Sequence, residues 1–359
     1  MRYVPPTTSD PKLEAFCRAI PKAELHCHLL GAIRIDTFRE LARREGGMTD
    51  EQVDELYQNA SGTVRKGAIP GLRALEGHVL RRNHDLYRIA YEYLEDAHAH
   101  NVQYSEFFWN PTGVVRGSGL PYKGFQDAIV AAIHDAKRDF GIVARLLPSI
   151  DREAPPSAAV EMVEWLKDCR CDEVPGIGID FREALGAPEL FETAYALARK
   201  MGLKATAHAG EYGLPWTNIQ TAIDVLKVDR IDHGYTAVDD ADFAKRCAET
   251  GIVFTVVPSN SYYLRTLPAD RWAELHPVKT MRKLGLKIHP NSDDPMLHNI
   301  SQTKAWSMMV EDLDFTIADL RDFMLNGLDG AWISETERSQ WKAEWAAEFD
   351  SLAAQYAAQ

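Results

Sequence analysis

Short runs rich in branched and aromatic apolar residues recur along the chain. Most are followed by stretches whose apolar positions step by three and four. The short runs, 23–28, 102–109, 143–149, 176–180, 204–208, 230–233, 252–257 and 287–291, predict β-strands. The stretches 126–138, 157–167, 190–200 and 240–250 predict amphipathic helices. Strands alternating with helices imply a parallel sheet, and eight of them close into a barrel. The expected fold class is therefore α/β, a (β/α)8 TIM barrel. A doubly wound open sheet is the alternative. Polar clusters recur at many strand ends, which favours the barrel, because an open sheet gathers them at one crevice.

Two stretches break the rhythm. Residues 35–44, 50–58 and 72–101 predict helices inserted after the first strand. In a barrel this insertion overhangs the mouth, either as a lid or as an added packing layer. Residues 301–359 read as helical and carry Trp306, Trp332, Trp341 and Trp345. They are expected to close the outer ring or to contribute a homo-oligomer contact. No repeat or low-complexity tract divides the chain, so residues 1–359 are read as a single barrel domain.

Charge narrows the partners. With 40 basic and 53 acidic residues the formal charge is −13, which repels nucleic-acid backbones and anionic membranes. No run approaches the roughly 20 apolar residues of a membrane span. Met1-Arg2-Tyr3-Val4-Pro5-Pro6 lacks the apolar core of a secretion signal. Cys17, Cys27, Cys169, Cys171 and Cys247 are odd in number and scattered, as in a reduced cytoplasmic protein. A small-molecule substrate is the expected partner.

The candidate chemistry sits at the strand ends. His26 and His28 are two apart on a strand, so they share one face and can approach one ion; two core histidines would show the same spacing. His208 ends a strand, and Ala209-Gly210 lets the chain turn so that Glu211 points back over the strand end. Glu211 reads as a proton shuttle or as an ordinary helix-start acid. His233 ends the next strand, as a ligand or as a base beside an attacking water. Asp293 and Asp294 follow the last strand. One carboxylate can complete a three-nitrogen site while the other bonds substrate, although Asp-Asp-Pro is also a turn signal. A Walker-type phosphate loop is absent from the sequence.

With these motifs in this order, the chain resembles the adenosine and adenine deaminases of the metal-dependent amidohydrolase superfamily, from about Pro21 to about Pro295. The resemblance implies a barrel holding one Zn2+ per subunit. It implies His26, His28, His208 and Asp293 as zinc ligands, Glu211 as the proton donor to purine N1, and His233 as the residue that orients and deprotonates water. Asp294 would bond N7. The fourth strand ends in Gly178-Ile179-Asp180-Phe181, without the lysine that bridges two metals in other amidohydrolases. The implied reaction is hydrolytic deamination of a 6-aminopurine (adenosine, adenine or a modified derivative) with release of ammonia. The alternative is a mononuclear amidohydrolase acting on another amino-heterocycle, such as a pterin, or on an amide. The intact set argues against a catalytically silent binding protein.

Substrate-binding positions depart from the pattern. Leu30 stands where the nucleoside enzymes carry an acid for the sugar 5′-hydroxyl, and Glu183 stands where a glycine amide meets ring N3. Glu106-Phe107-Phe108-Trp109-Asn110-Pro111 resembles the Phe-Phe-Asp-Pro stretch of adenine deaminases, with its aromatic residues either lining a pocket or packing in the barrel core.

Overall fold

The computed structural model describes residues 10–61 and 67–358. The N-terminal hexapeptide considered above lies outside them. The strands are β1 (Lys22–His28), β2 (Val102–Trp109), β3 (Val143–Asp151), β4 (Gly176–Asp180), β5 (Lys204–Ala209), β6 (Arg230–His233), β7 (Val253–Val256) and β8 (Lys287–Pro290). All pair in parallel, in sequence order. The expected strands are all present, with small shifts at their ends.

The barrel closes just past β8. Cys27 and Asp293 form a parallel bridge. Asp293 N donates to His26 O at 2.9 Å, and His28 N donates to Asp293 O at 2.8 Å. Below them Leu25 N donates to Asn291 Oδ1 at 2.8 Å and Ser292 N to Glu24 Oε1 at 3.1 Å. Side chains thus finish a seam that backbone pairing begins.

Inward positions of β2 run Tyr104, Glu106 and Phe108. Glu106 forms a fully buried ion pair with Arg230 at 2.7 Å. Arg230 also donates to Gly330 O at 3.0 Å and lies 4.7 Å from the Trp332 ring centre. Tyr104 Oη and Trp332 N donate to the other Glu106 oxygen. This network forms the barrel floor. Above it Phe108 packs against the rings of His26, His28 and His208 at 5.3–5.6 Å. Phe107 packs on Tyr93. Both aromatics are core residues, not pocket walls.

The insertion is helical, with one correction. The expected helix 72–101 is interrupted. A short helix (Ile69–Ala74) continues through a widened turn (Leu75–Val79), and a new helix starts at Asn83 and runs to Ala99. Asp85 causes the restart: its carboxylate accepts from the amides of Arg81 at 3.3 Å and Arg82 at 3.1 Å, and pairs with Arg44. Leu80-Arg81-Arg82 are ordinary helix formers, so the apolar pattern hides this break.

Helix Ile317–Gly330 packs on β1, β7 and β8 and covers the seam. The last helix, Glu335–Ala358, lies on it and on the first helix, Pro11–Ala19. Phe16 and Phe349 meet edge to face at 5.4 Å. The C-terminal stretch therefore closes the outer ring. All five cysteines are unpaired. Among the described residues no helix is long and apolar enough to cross a membrane.

Candidate active site

The candidate ligands arrive at the mouth from three different strand ends, as expected of a barrel site. His26 and His28 face inward from β1, His208 from β5, and Asp293 from the seam. His208 Nε2 lies 3.1 Å from His26 Nε2 and 3.2 Å from His28 Nε2. Asp293 Oδ1 lies 3.6 Å from His26 Nε2 and 3.3 Å from His28 Nε2. Ligands about 2.0–2.1 Å from a tetrahedral zinc stand about 3.3 Å apart, so this donor set fits one such ion. Nitrogen lone pairs converging this closely need a shared cation. Charge points the same way. Burial disfavours a charged His28, yet Asp293, Asp294 and Asp180 overcome it and push its pKa up to about 10.

Outer partners fix each imidazole. His26 Nδ1 lies 3.2 Å from Thr255 O and 3.1 Å from Thr255 Oγ1. His208 Nδ1 faces Asp232 Oδ2 at 3.2 Å, and His28 Nδ1 faces Asp180 Oδ2 at 3.4 Å. Such partners place the proton on Nδ1 and leave Nε2 free to ligate. Asp232 accepts in turn from Thr255 Oγ1 at 2.8 Å, and Asp180 from Asn110 Nδ2 at 2.6 Å. Burial and the neighbouring His26 hold His208 down at about 3, hence neutral. Sequence reading did not assign Asp180, Asp232, Asn110 or Thr255. The available signal was an acid at the ends of β4 and β6, inward by strand alternation.

Two site residues adopt left-handed backbone: His233 (φ 66°) and Asp293 (φ 65°). That conformation costs energy for residues other than glycine and gathers at functional sites. Gly210 turns the same way with φ 68°, and a Cβ there would lie 2.5 Å from Thr236 Oγ1. The turn brings Glu211 over the cluster, as expected. Its Oε1 accepts from Asn260 Nδ2 at 3.1 Å, and its Oε2 lies 3.5 Å from His233 Nε2. Asn260, which sequence reading missed, also accepts from the amides of Tyr262 and Tyr263, so its amide orientation is fixed. Burial and the charge of Asp293 push Glu211 well above the usual carboxylate range. Burial, with His26 and His208 nearby, holds His233 neutral.

Asp294 is buried, and its Oδ1 has no hydrogen-bond partner. Burial and Asp293 push its carboxyl upward. A Cβ on Gly31 would lie 1.8 Å from that oxygen, so Gly31 makes room for Asp294.

A cavity of about 440 Å³ opens above these groups. Its wall includes Asp294, Glu183, Phe181, Leu185, Leu214 and Tyr262. Ala68, Ile69 and Leu72 bring the insertion into the wall, so that layer shapes the site. One substrate position lies elsewhere than expected. Leu30 packs in the hydrophobic core, 3% exposed, and is absent from the described wall. Glu183 borders the cavity while its carboxylate turns to backbone and Asn218. It accepts from Gly210 N at 3.0 Å and Asn218 Nδ2 at 2.9 Å.

A parallel barrel presenting three imidazoles and a carboxylate at one pole, with a buried acid beside them, has the architecture of a metal-dependent barrel hydrolase. The sequence profile of the adenosine deaminase family matches residues 21–346. The chain belongs to the adenosine deaminase family. It is 30% identical over 338 residues to the adenine deaminase of Cupriavidus necator, covering 94% of each chain. Its fold matches a Burkholderia ambifaria amidohydrolase solved with bound Zn, at a TM-score of 0.97 and 56% identity, covering 100% of this chain and 99% of that one. The adenine deaminase of Arthrobacter aurescens matches at a TM-score of 0.83 and 27% identity, over 93% and 100% of the two chains.

Proposed function

We propose that this protein is a mononuclear zinc hydrolase that replaces the 6-amino group of a 6-aminopurine with oxygen and releases ammonia. The candidate substrates are adenosine, adenine and modified derivatives. The observation that carries the reading is the buried Glu211, its carboxyl pushed upward, beside a three-histidine, one-aspartate cluster. His26, His28, His208 and Asp293 would hold the ion. Zinc held there supplies Lewis acidity that lowers the pKa of water to about 7.

The remaining steps belong to side chains. Purine N1 carries a lone pair, so its partner must donate. The raised pKa favours the protonated form of Glu211, and the Asn260 bond to Oε1 leaves Oε2 to carry the proton. Giving that proton to N1 makes C6 electrophilic as water adds. His233, neutral and 3.5 Å from Glu211, accepts the proton of the attacking water. It then returns that proton to the departing amine, while the proton left on the C6 hydroxyl passes back to Glu211, so ammonia leaves and the carbonyl forms. N7 is also an acceptor, and a protonated Asp294 can donate to it. This pair of contacts reads the 6-aminopurine edge from both sides of C6.

Relatives named for adenine deamination support the substrate class. The test is ammonia release from adenine, adenosine and N6- and 5′-modified adenosines by the zinc-loaded protein. A pterin and a simple amide serve as counter-substrates. Turnover confined to the counter-substrates would overturn the proposal.

A further inference from the structure

β4 and β5 separate before they reach the mouth. Their pairing stops at Gly176–Lys204 and Ile177–Ala205. β4 continues with β3 as far as Asp180, and β5 with β6 as far as Ala209. The carbonyls of Ala205 and Ala209 accept from Asp229 N at 2.7 Å and Gly234 N at 3.0 Å, on the β6 side. Alternation along a parallel strand turns the carbonyls of Thr206 and His208 towards β4, which no longer reaches them. Buried backbone groups need partners.

Side chains supply them. The Tyr195 hydroxyl donates to Thr206 O at 2.7 Å, and Arg152 Nη2 donates to His208 O at 2.7 Å. The Glu183 carboxylate accepts from Gly210 N at 3.0 Å and from Glu211 N at 3.4 Å. Arg152 is 1% exposed and Glu183 3%. Arg152 Nε and Nη1 have no hydrogen-bond partner, and among the described residues no carboxylate forms an ion pair with it. A buried guanidinium held by one backbone carbonyl is costly to keep, and that carbonyl belongs to a candidate metal ligand.

We propose that Arg152 and Glu183 are positioning residues that take over from the missing β4 pairing, with a division of labour. Arg152 sets His208, and with it metal affinity. Glu183 sets the Gly210–Glu211 turn, and with it proton delivery. The part concerning Glu211 rests on the deaminase reading above; the part concerning metal does not. Splaying β4 from β5 opens the mouth at this point, and the two side chains keep the widened edge rigid.

The experiment compares wild type, R152M, R152K and E183Q. It measures zinc affinity by chelator competition, the visible spectrum of the cobalt form, amide exchange across 208–212, and kcat. R152M is expected to weaken zinc binding about 10–100-fold and to alter the cobalt spectrum, with R152K recovering part of the loss. E183Q is expected to bind zinc as wild type does, to exchange faster at Gly210 and Glu211, and to lose about 100-fold in kcat. Wild-type zinc affinity in R152M overturns the role of Arg152, as it does in R152K should R152M not fold. Unchanged exchange and kcat in E183Q, or loss of zinc there, overturns the role of Glu183. If no purine releases ammonia, the deaminase reading fails on its own, while affinity and exchange still decide this proposal.

Discussion

The amide of Asp293 donates to the carbonyl of His26 at 2.9 Å, so the last candidate metal ligand is also a rung of the seam that closes the barrel. Ligand geometry and barrel closure are therefore one structural event. Binding an ion at the cluster stabilises the seam, and losing the ion exposes four converging donors to one another. At a hundredfold excess of zinc over its Kd, the folded state gains about 2.7 kcal/mol. Chelation is expected to lower the melting temperature by several degrees and zinc to restore it. In D293A zinc is expected to leave the melting temperature unchanged. Calorimetry with and without zinc checks this, and a zinc-independent transition in the wild type would contradict it.

Glu211 is held protonated by burial and by the charge of Asp293. E211Q keeps the shape and the Asn260 contact but has no proton to give. Turnover is expected to fall about 10²–10⁴-fold with one zinc retained. The pH profile carries the sign. Raising the pH removes the proton that N1 needs, so kcat/KM falls on an alkaline limb well above the ordinary carboxylate range. That limb should vanish in E211Q. Zinc content and a pH series together distinguish this from simple loss of metal.

Gly31 leaves the space in which Asp294 sits, since an added methyl would lie 1.8 Å from its Oδ1 and 2.7 Å from its Cβ. G31A should displace Asp294 and leave the zinc ligands in place. Leaving N7 buried without its donor costs about 1–3 kcal/mol, so kcat/KM is expected to fall about 5–150-fold. D294A should fall in the same range, and the double variant should fall little further than either single one. Additive losses would show that Gly31 acts elsewhere.

What the sequence revealed depended on how local the signal was. The strands and the four site motifs were readable because apolar alternation and a histidine or aspartate at a strand end lie within a few residues of each other. Asp180 and Asp232 were visible as acids, but their task depends on which imidazole lies across the barrel: Asp232 is level with His208 only through the β5–β6 register. Asn260 and Arg152 meet their partners, Glu211 and His208, across loops that no spacing rule connects. Leu30 misled for the opposite reason. Its place after the histidine pair drew attention to the substrate, while its own chemistry places it in the core.

The floor can be tested separately from the mouth. Arg230 and Glu106 are both fully buried, with Arg230 also held by Gly330 O and the Trp332 ring. Removing one partner strands the other charge in the core, which costs about 3–5 kcal/mol. R230M is expected to lose that much in denaturant unfolding while retaining zinc. R230M combined with E106L removes both charges and should recover much of the loss. Equal stabilities of the single and double variants would show that the pair carries no mutual energy.

The turn that follows His28 bears on substrate choice. Leu29, Leu30, Gly31 and Ala32 offer no side-chain acceptor, and all four are buried. The family resemblance implies that a nucleoside's 5′-hydroxyl reaches this turn, where it would give up water without gaining a partner. One such unpaired group costs about 1–3 kcal/mol, a factor of about 5–150 in kcat/KM. The expected order is therefore 5′-deoxyadenosine above adenosine, with the difference in KM or kcat/KM and zinc content constant. The comparison changes one oxygen and leaves the purine edge read by Glu211 and Asp294 untouched. It isolates this turn from the chemistry at C6. If adenosine is turned over more efficiently than its 5′-deoxy analogue, another group supplies the acceptor, and Leu30 does not mark a loss of sugar recognition.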